Sequence, residues 1–214
     1  MAEEAPARLD ADRLLRVRDA LARRPWHEVT TAELAQAAGL SRMTLHRRGI
    51  TKDGVLAQLG ERLAAEYREA IFPALASPAP ARDRLRQALE AACAVDERSL
   101  GLVDALGDAV GTVFHEPGDG PVLTRASFID GLRRIVEDGV REGTVRSDDP
   151  ARTATLLFNA AGWTYRHLRT GHRWSARRAR TAVVDLLLDG VGGPAGPAPA
   201  AGGGAGAVGD PAQP

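Results

Sequence analysis

The sequence predicts an all-α protein of about nine helices, and three observations predict it. Apolar residues recur every three or four positions through most of the 214 residues, the period of an amphipathic helix. Glycines and prolines cut these stretches into segments of helical length. Strict alternation of Val, Ile and Thr with polar residues, the mark of a half-buried strand, is absent.

The first helix runs from about Asp10 to Arg23, with Leu14, Val17 and Leu21 on one face, and Pro25 stops it. Thr30 stands three residues before Glu33, so hydroxyl and carboxylate can reciprocally cap the start of a second helix, Thr31 to Ala38. Gly39 can take the positive φ that ends it, and Ser41 is an N-cap for a short third helix to about Arg48. Thr51 caps a longer fourth helix carrying Leu56, Leu59, Leu63, Tyr67 and Ile71, which ends between Pro73 and Pro78. Past the break at Ser77 to Pro80, Leu85 and Leu89 begin a fifth, and Leu102, Leu106, Val110 and Val113 mark a sixth. Glu116 to Gly120 is a loop, and Ile129, Leu132, Ile135, Val136 and Val140 mark a seventh helix ending near Gly143. Asp149 before Pro150 is an N-cap followed by a first-turn proline, and opens an eighth helix to about Arg169. This helix is apolar nearly all round, with Leu156, Leu157, Phe158, Trp163, Tyr165 and Leu168. The ninth, Ser175 to Leu188, carries Val183, Leu186 and Leu187.

Composition narrows the function classes. The 28 basic residues balance 28 acidic ones, so any nucleic-acid binding must come from where the charges sit, not from their sum. The single cysteine, Cys93, excludes an intrachain disulfide framework, and no stretch reaches the roughly 18 apolar residues of a membrane span. Together with an N-terminus that lacks basic and apolar signal regions, this gives the expectation of a cytoplasmic protein. Residues from 190 to 214 are nearly all Gly, Ala and Pro and are expected to form a disordered tail.

The informative stretch is residues 30–52, TTAELAQAAGLSRMTLHRRGITK. Two short helices flank Gly39, small Ala35 and Ala38 allow them to cross closely, and Leu34, Leu40 and Leu45 hold them together. Arg42, Met43, Thr44, His46, Arg47 and Arg48 are left for the exposed side and ends of the third helix. Between Leu34 and Lys52 there is no acid at all, so a neutral chain carries a local charge of about plus four beside a helix short enough for a DNA major groove.

These residues resemble a family. The order of the first helix, Trp26 before a Thr-Thr helix start, AELAQAAGLSRMTLHRR and a Thr-Lys-Asp helix start is similar to the DNA-binding domain of TetR/AcrR-family transcriptional regulators. The resemblance covers residues 10–60 and implies a homodimer of nine-helix subunits. In it, residues 1–52 would bind a palindromic operator, and residues 53–189 would bind a small-molecule inducer and the partner subunit. It places Arg42, Met43 and Thr44 where such proteins meet bases or nearby phosphates, with Thr31 and Lys52 gripping the backbone; Ser41, His46 and Arg47 complete the candidate DNA-binding residues. In physical terms, Arg42 suits a bidentate bond to guanine, worth about 1 to 3 kcal/mol of discrimination, and Met43 suits a thymine methyl. Lys52 suits a phosphate contact that carries no sequence information.

The chain departs from the family pattern at two positions. Family members commonly carry an aromatic residue where this chain has His46, and an aromatic or bulky apolar residue where it has Gly49. Ile50 is the expected substitute for that missing anchor.

Other motifs are weaker. No nucleophile elbow, phosphate loop or nucleophile–base set is present, so an enzyme is not expected, and no cofactor or metal is implied. His167 and His172 stand five apart, outside the separations that put two zinc ligands on one helix face. Aromatic residues gather in the second half, and Phe114, His115, Phe128, Asn159, Trp163 and His167 are the expected lining of a ligand pocket. The apolar last two helices suit a two-fold, four-helix dimer interface. The composite expectation is a ligand-responsive repressor. The alternative is a helical small-molecule-binding protein, or a protein-binding adaptor, whose helix-turn-helix no longer reads DNA.

Overall fold

The computed structural model describes residues 7–21, 24–102 and 125–192, the last span without the side chains of residues 125–128. Within these spans the chain forms eight α-helices and one 3-10 turn: α1 (Ala11–Leu21), the turn Trp26–Glu28, α2 (Thr31–Ala37), α3 (Arg42–Arg47), α4 (Lys52–Ala76), α5 (Ala81–Arg98), α6 (Arg125–Glu142), α7 (Pro150–Thr170) and α8 (Ala176–Val191). The described residues contain no strand, only an isolated bridge between Val145 and Gly192. The helix expected on Leu106, Val110 and Val113, the loop at Glu116 to Gly120 and the tail beyond residue 192 lie outside the described residues. The last helix continues to Val191, past the expected end at Leu188 and into the first residues assigned to the tail.

The capping residues act as their chemistry dictates. Thr30, Ser41, Thr51, Asp149 and Ser175 each accept a hydrogen bond from the backbone N–H three residues on, satisfying a donor that the first helical turn leaves free. At Thr30 the capping box is complete, because the Glu33 carboxylate also accepts from the Thr30 N–H at 2.9 Å. Pro73 lies inside the last turn of α4 instead of ending it. So near the C-terminus it removes one backbone hydrogen bond without breaking the helix.

Two groups of helices share one continuous core. In the N-terminal head, Val17, Leu21, Trp26, Val29, Leu34, Ala35, Ala38, Leu45 and Ile50 are buried, each large aliphatic contributing about 1.5–3 kcal/mol. In the body, α5 is central and packs against α4, α6, α7 and α8. Its direction is fixed by charge pairs. At its start, Arg82 and Arg86 meet Asp189 and Asp185 near the end of α8, at 3.1 and 2.6 Å. At its end, Glu97 accepts from Tyr165 and Arg169 of α7 at 2.8 and 2.7 Å. Thus α7 runs parallel to α5 and α8 runs back antiparallel. The end of α5 is also the end nearest the head: Leu102, one turn beyond it, lines the same small void as Val17, Leu21 and Trp26.

Candidate nucleic-acid interface

The exposed face of α3 is built by what surrounds it. The preceding helix α2 ends in a Schellman motif: Gly39 takes φ +66°, its N–H bonds to the Gln36 carbonyl, and the Leu40 N–H bonds to the Ala35 carbonyl. The turn that follows places Ser41 at the start of α3, where its Oγ accepts from the Thr44 N–H at 3.0 Å and lies 2.8 Å from Thr44 Oγ1. A second Schellman motif ends α3, with Gly49 at φ +64° and bonds from Gly49 to His46 and from Ile50 to Leu45. Leu45 and Leu34 are fully buried between the two helices, with Ala35 and Ala38 allowing close approach. The opposite side is therefore forced outward.

On that side Arg42, Met43, His46, Arg47 and Arg48 are exposed, Met43 by 72%. No carboxylate of the described residues pairs with Arg42, Arg47 or Arg48, whereas the other described arginines of the head are engaged. Arg13 pairs with Asp10, Arg18 with Glu66 and Arg24 with Glu33, and Arg16 reaches the Ala38 carbonyl at 3.5 Å. Glu33 is held well below the usual carboxylate range, to about 2, by the Thr30 N–H and the Arg24 guanidinium.

The expected site residues divide in two. Arg42, Met43, His46 and Arg47 share the outward face, and Thr31 is exposed at the start of α2. Ser41 and Thr44 instead direct their oxygens at each other and at the cap. They orient α3, and Thr44 is half-buried. Lys52 is also half-buried, with Nζ 3.4 Å from the His27 carbonyl and 5.6 Å from the centre of the Trp26 ring. Its ammonium thereby ties the 3-10 turn to the start of α4. Sequence reasoning missed Glu66. It lies in α4, is 6% exposed, and receives both Arg18 of α1 and Arg62 of its own helix.

Ile50, the expected substitute for the anchor at position 49, is buried. The glycine itself is required by the left-handed backbone that closes α3.

In the body, Tyr67 of α4 donates to Asp96 of α5 at 2.5 Å, and Arg166 of α7 lies 3.5 Å from the same oxygen. Burial, then the Asp96 charge, push the Tyr67 hydroxyl pKa well above its ordinary value. Cys93 is fully buried, and burial pushes its thiol up to about 12, so it behaves as a small apolar residue.

The expected pocket lining does not converge among the described residues. Phe114 and His115 lie outside them, as does the Phe128 side chain. Asn159 donates to the Thr155 carbonyl of its own helix at 2.9 Å. Trp163 is 59% exposed, with the Arg166 guanidinium 4.8 Å from its ring centre, and the His167 ring stands against His172 at 5.0 Å. The reason is helical geometry. The buried stripe of α7 is Ala154, Leu157, Ala161 and Tyr165, and Trp163, two residues from the last two, points to the opposite side.

The family model described as tetracyclin repressor-like, C-terminal domain, matches residues 78–191, more than half of the chain. The chain belongs to the TetR/AcrR family of transcriptional regulators. Solved structures agree with that membership at the level of the fold. The TetR-family regulator PfmR from Thermus thermophilus is 22% identical, with a TM-score of 0.63 over 81% of this chain and 97% of that one. A TetR/AcrR-family regulator from Thermobifida fusca is 20% identical, with a TM-score of 0.61 over 84% and 96%. AibR, solved in complex with isovaleryl coenzyme A and operator DNA, is 16% identical, with a TM-score of 0.62 over 82% and 98%. No curated protein matched the sequence. In this TetR-family chain no described helix is long and apolar enough to cross a membrane, and no described group of His, Cys, Asp and Glu is placed to hold a metal ion.

Proposed function

We propose that this regulator is a sequence-specific DNA-binding repressor that grips a palindromic operator as a dimer and releases it when a small molecule binds the body. The observation that carries this reading is the outer face of α3. Its arginines have no carboxylate partner among the described residues, while Ser41, Thr44, Gly39, Gly49, Leu34 and Leu45 all hold that face in place. In this reading Arg42 and Met43 meet base edges, with His46, Arg47, Thr31 and Lys52 on phosphates. AibR, whose structure holds both operator DNA and an acyl-coenzyme A, supports the pairing of operator and small-molecule effector in this fold.

The dimer uses α7 and α8, which expose Leu156, Trp163 and Leu186. A ligand can release DNA only by favouring a state in which the two α3 helices no longer match major grooves about 34 Å apart. Helix α4 is the lever, since it begins at Lys52 beside the head and is fastened to the body through Tyr67 and Asp96.

The test is capture of fragmented genomic DNA by the purified protein, wild type beside Arg42→Ala, with sequencing of bound fragments. Recovery of a few palindromic sites by the wild type, lost in the variant, is the expected result. Recovery without sequence preference, unchanged by the substitution, would overturn the reading and favour a binding protein or adaptor that does not read DNA.

A further inference from the structure

The longest acid-free run lies in the body and has no part in the reading above. From Pro150 to Val184 the chain has seven arginines and no aspartate or glutamate. Three of them are engaged: Arg152 pairs with Asp148 at 2.6 Å, Arg166 lies 3.5 Å from Asp96, and Arg169 holds Glu97 at 2.7 Å. The other four, Arg173, Arg177, Arg178 and Arg180, cluster around the turn between α7 and α8. None of these four has a carboxylate partner among the described residues. Arg173, Arg177 and Arg178 are exposed, and the Arg178 guanidinium lies 3.9 Å from the Trp174 ring centre.

This arrangement is unfavourable in the free protein on two counts. Helices α1, α2, α4 and α5 carry an acid in the first turn, where the helix dipole favours it. Helix α8 carries Arg177 and Arg178 there, and among the described helices that start from a serine cap it shares this pattern with α3 and its Arg42. Arg173 also holds a left-handed backbone, φ +54°, the only non-glycine described residue that does so. Guanidinium groups without a carboxylate partner among the described residues, set against a dipole of the same sign, suit an anionic partner.

Their place in the fold says which one. Residues 165–169 of α7 bind Glu97 and Asp96 at the end of α5, and that end adjoins the head through Leu102. The basic turn, which follows Arg169 by a few residues, therefore sits at the end of the body that adjoins the head. In the proposed two-fold dimer through α7 and α8, the turn that joins those two helices would lie near the axis in both copies. We propose that Arg173, Arg177 and Arg178 form a second DNA contact, a sequence-independent clamp on the phosphate backbone between the two half-sites. This rests on the dimeric DNA-binding reading given above. The clamp adds affinity and salt dependence and leaves base preference to α3.

The test uses the duplex that the wild-type protein selects from genomic fragments, with binding measured across a salt series. The variant combines Arg173→Gly, Arg177→Gln and Arg178→Gln, and its dimer mass and thermal midpoint are compared with wild type. Each lost phosphate contact lowers the slope of log K against log salt by about 0.9. The expected result is a slope smaller by about 2 or more and an affinity at least about tenfold weaker in ~0.1 M salt, with the ratio of operator to scrambled duplex unchanged. Replacing the central phosphates of the duplex by uncharged methylphosphonates lowers the wild-type slope and leaves that of the variant unchanged. If the triple variant misfolds, Arg177→Gln alone, at an exposed position with no carboxylate partner to lose, carries the same test with a slope change of up to about 2 per dimer. A wild type that selects an operator with a slope the variants share overturns the clamp alone. A wild type that selects no duplex overturns the DNA-binding reading with it.

Discussion

A bulky side chain at position 49 would cost the head more than it would add. Nothing lies within 4 Å of a Cβ built on Gly49, so space is not the constraint. The constraint is the backbone at φ +64°, where an L-residue loses about 1–2 kcal/mol against a right-handed conformation. Part of that loss is returned because alanine has less freedom than glycine in the unfolded chain. Gly49→Ala is therefore expected to lower stability by about 1 kcal/mol, read as an earlier urea midpoint with an unchanged slope. A midpoint equal to or above wild type would show that α3 can close without the left-handed turn. Ile50, next in the chain, is buried and supplies an apolar side chain at the end of α3.

At the scale of elements, the parts legible in the sequence are those whose signal is local. Thr30 with Glu33, Ser41, Thr51, Asp149 with Pro150, and Ser175 each start a helix, because a cap and its target lie three residues apart. Arg42, Met43, His46 and Arg47 are legible as an outward face because Leu34 and Leu45 fix the inward one. Trp163 is misplaced by any reading that equates aromatic content with burial, since the 3.6-residue period sets it opposite Ala161 and Tyr165. The links between elements leave no periodic trace. Glu66 on α4 receives Arg18 from 48 residues away, and Tyr67 meets Asp96 29 residues on. The Arg18–Glu66 pair is the main charged fastening of α1 to α4, and both side chains are mostly buried, at 19% and 7% exposure. Glu66→Ala leaves Arg18 without that partner and is expected to cost about 2 kcal/mol. Amide hydrogen exchange in α1 should rise more than in α5, because α1 alone loses its tie. Equal protection in α1 before and after the substitution would show that apolar packing of Val17 and Leu21 suffices to dock it.

At the scale of the whole molecule, the last two helices of the body expose large apolar side chains. Leu156 and Trp163 are seven residues apart on α7, two turns along one face, and are 62% and 59% exposed. Leu186 on the neighbouring antiparallel helix is 71% exposed. Isolated exposed leucines are ordinary, but three large apolar side chains exposed on two helices packed together are a surface that water does not favour. In the proposed dimer a second copy of the same pair, turned about a two-fold axis, would cover these side chains with its own. In the proposed dimer the same axis would relate the two α3 faces, the symmetry that a palindromic operator requires. Leu156→Asp combined with Leu186→Asp changes exposed positions only, so each chain should fold with the helix content of wild type. In the dimer the same aspartates would be buried against their own copies, which is costly for unpaired charges. The expected outcome is a light-scattering mass of one 22.6 kDa chain for the variant and twice that for wild type. DNA binding should then lose its steep dependence on having both half-sites in one duplex. A variant that keeps the double mass would place the interface elsewhere on the body, and with it the position of the α7–α8 turn relative to DNA.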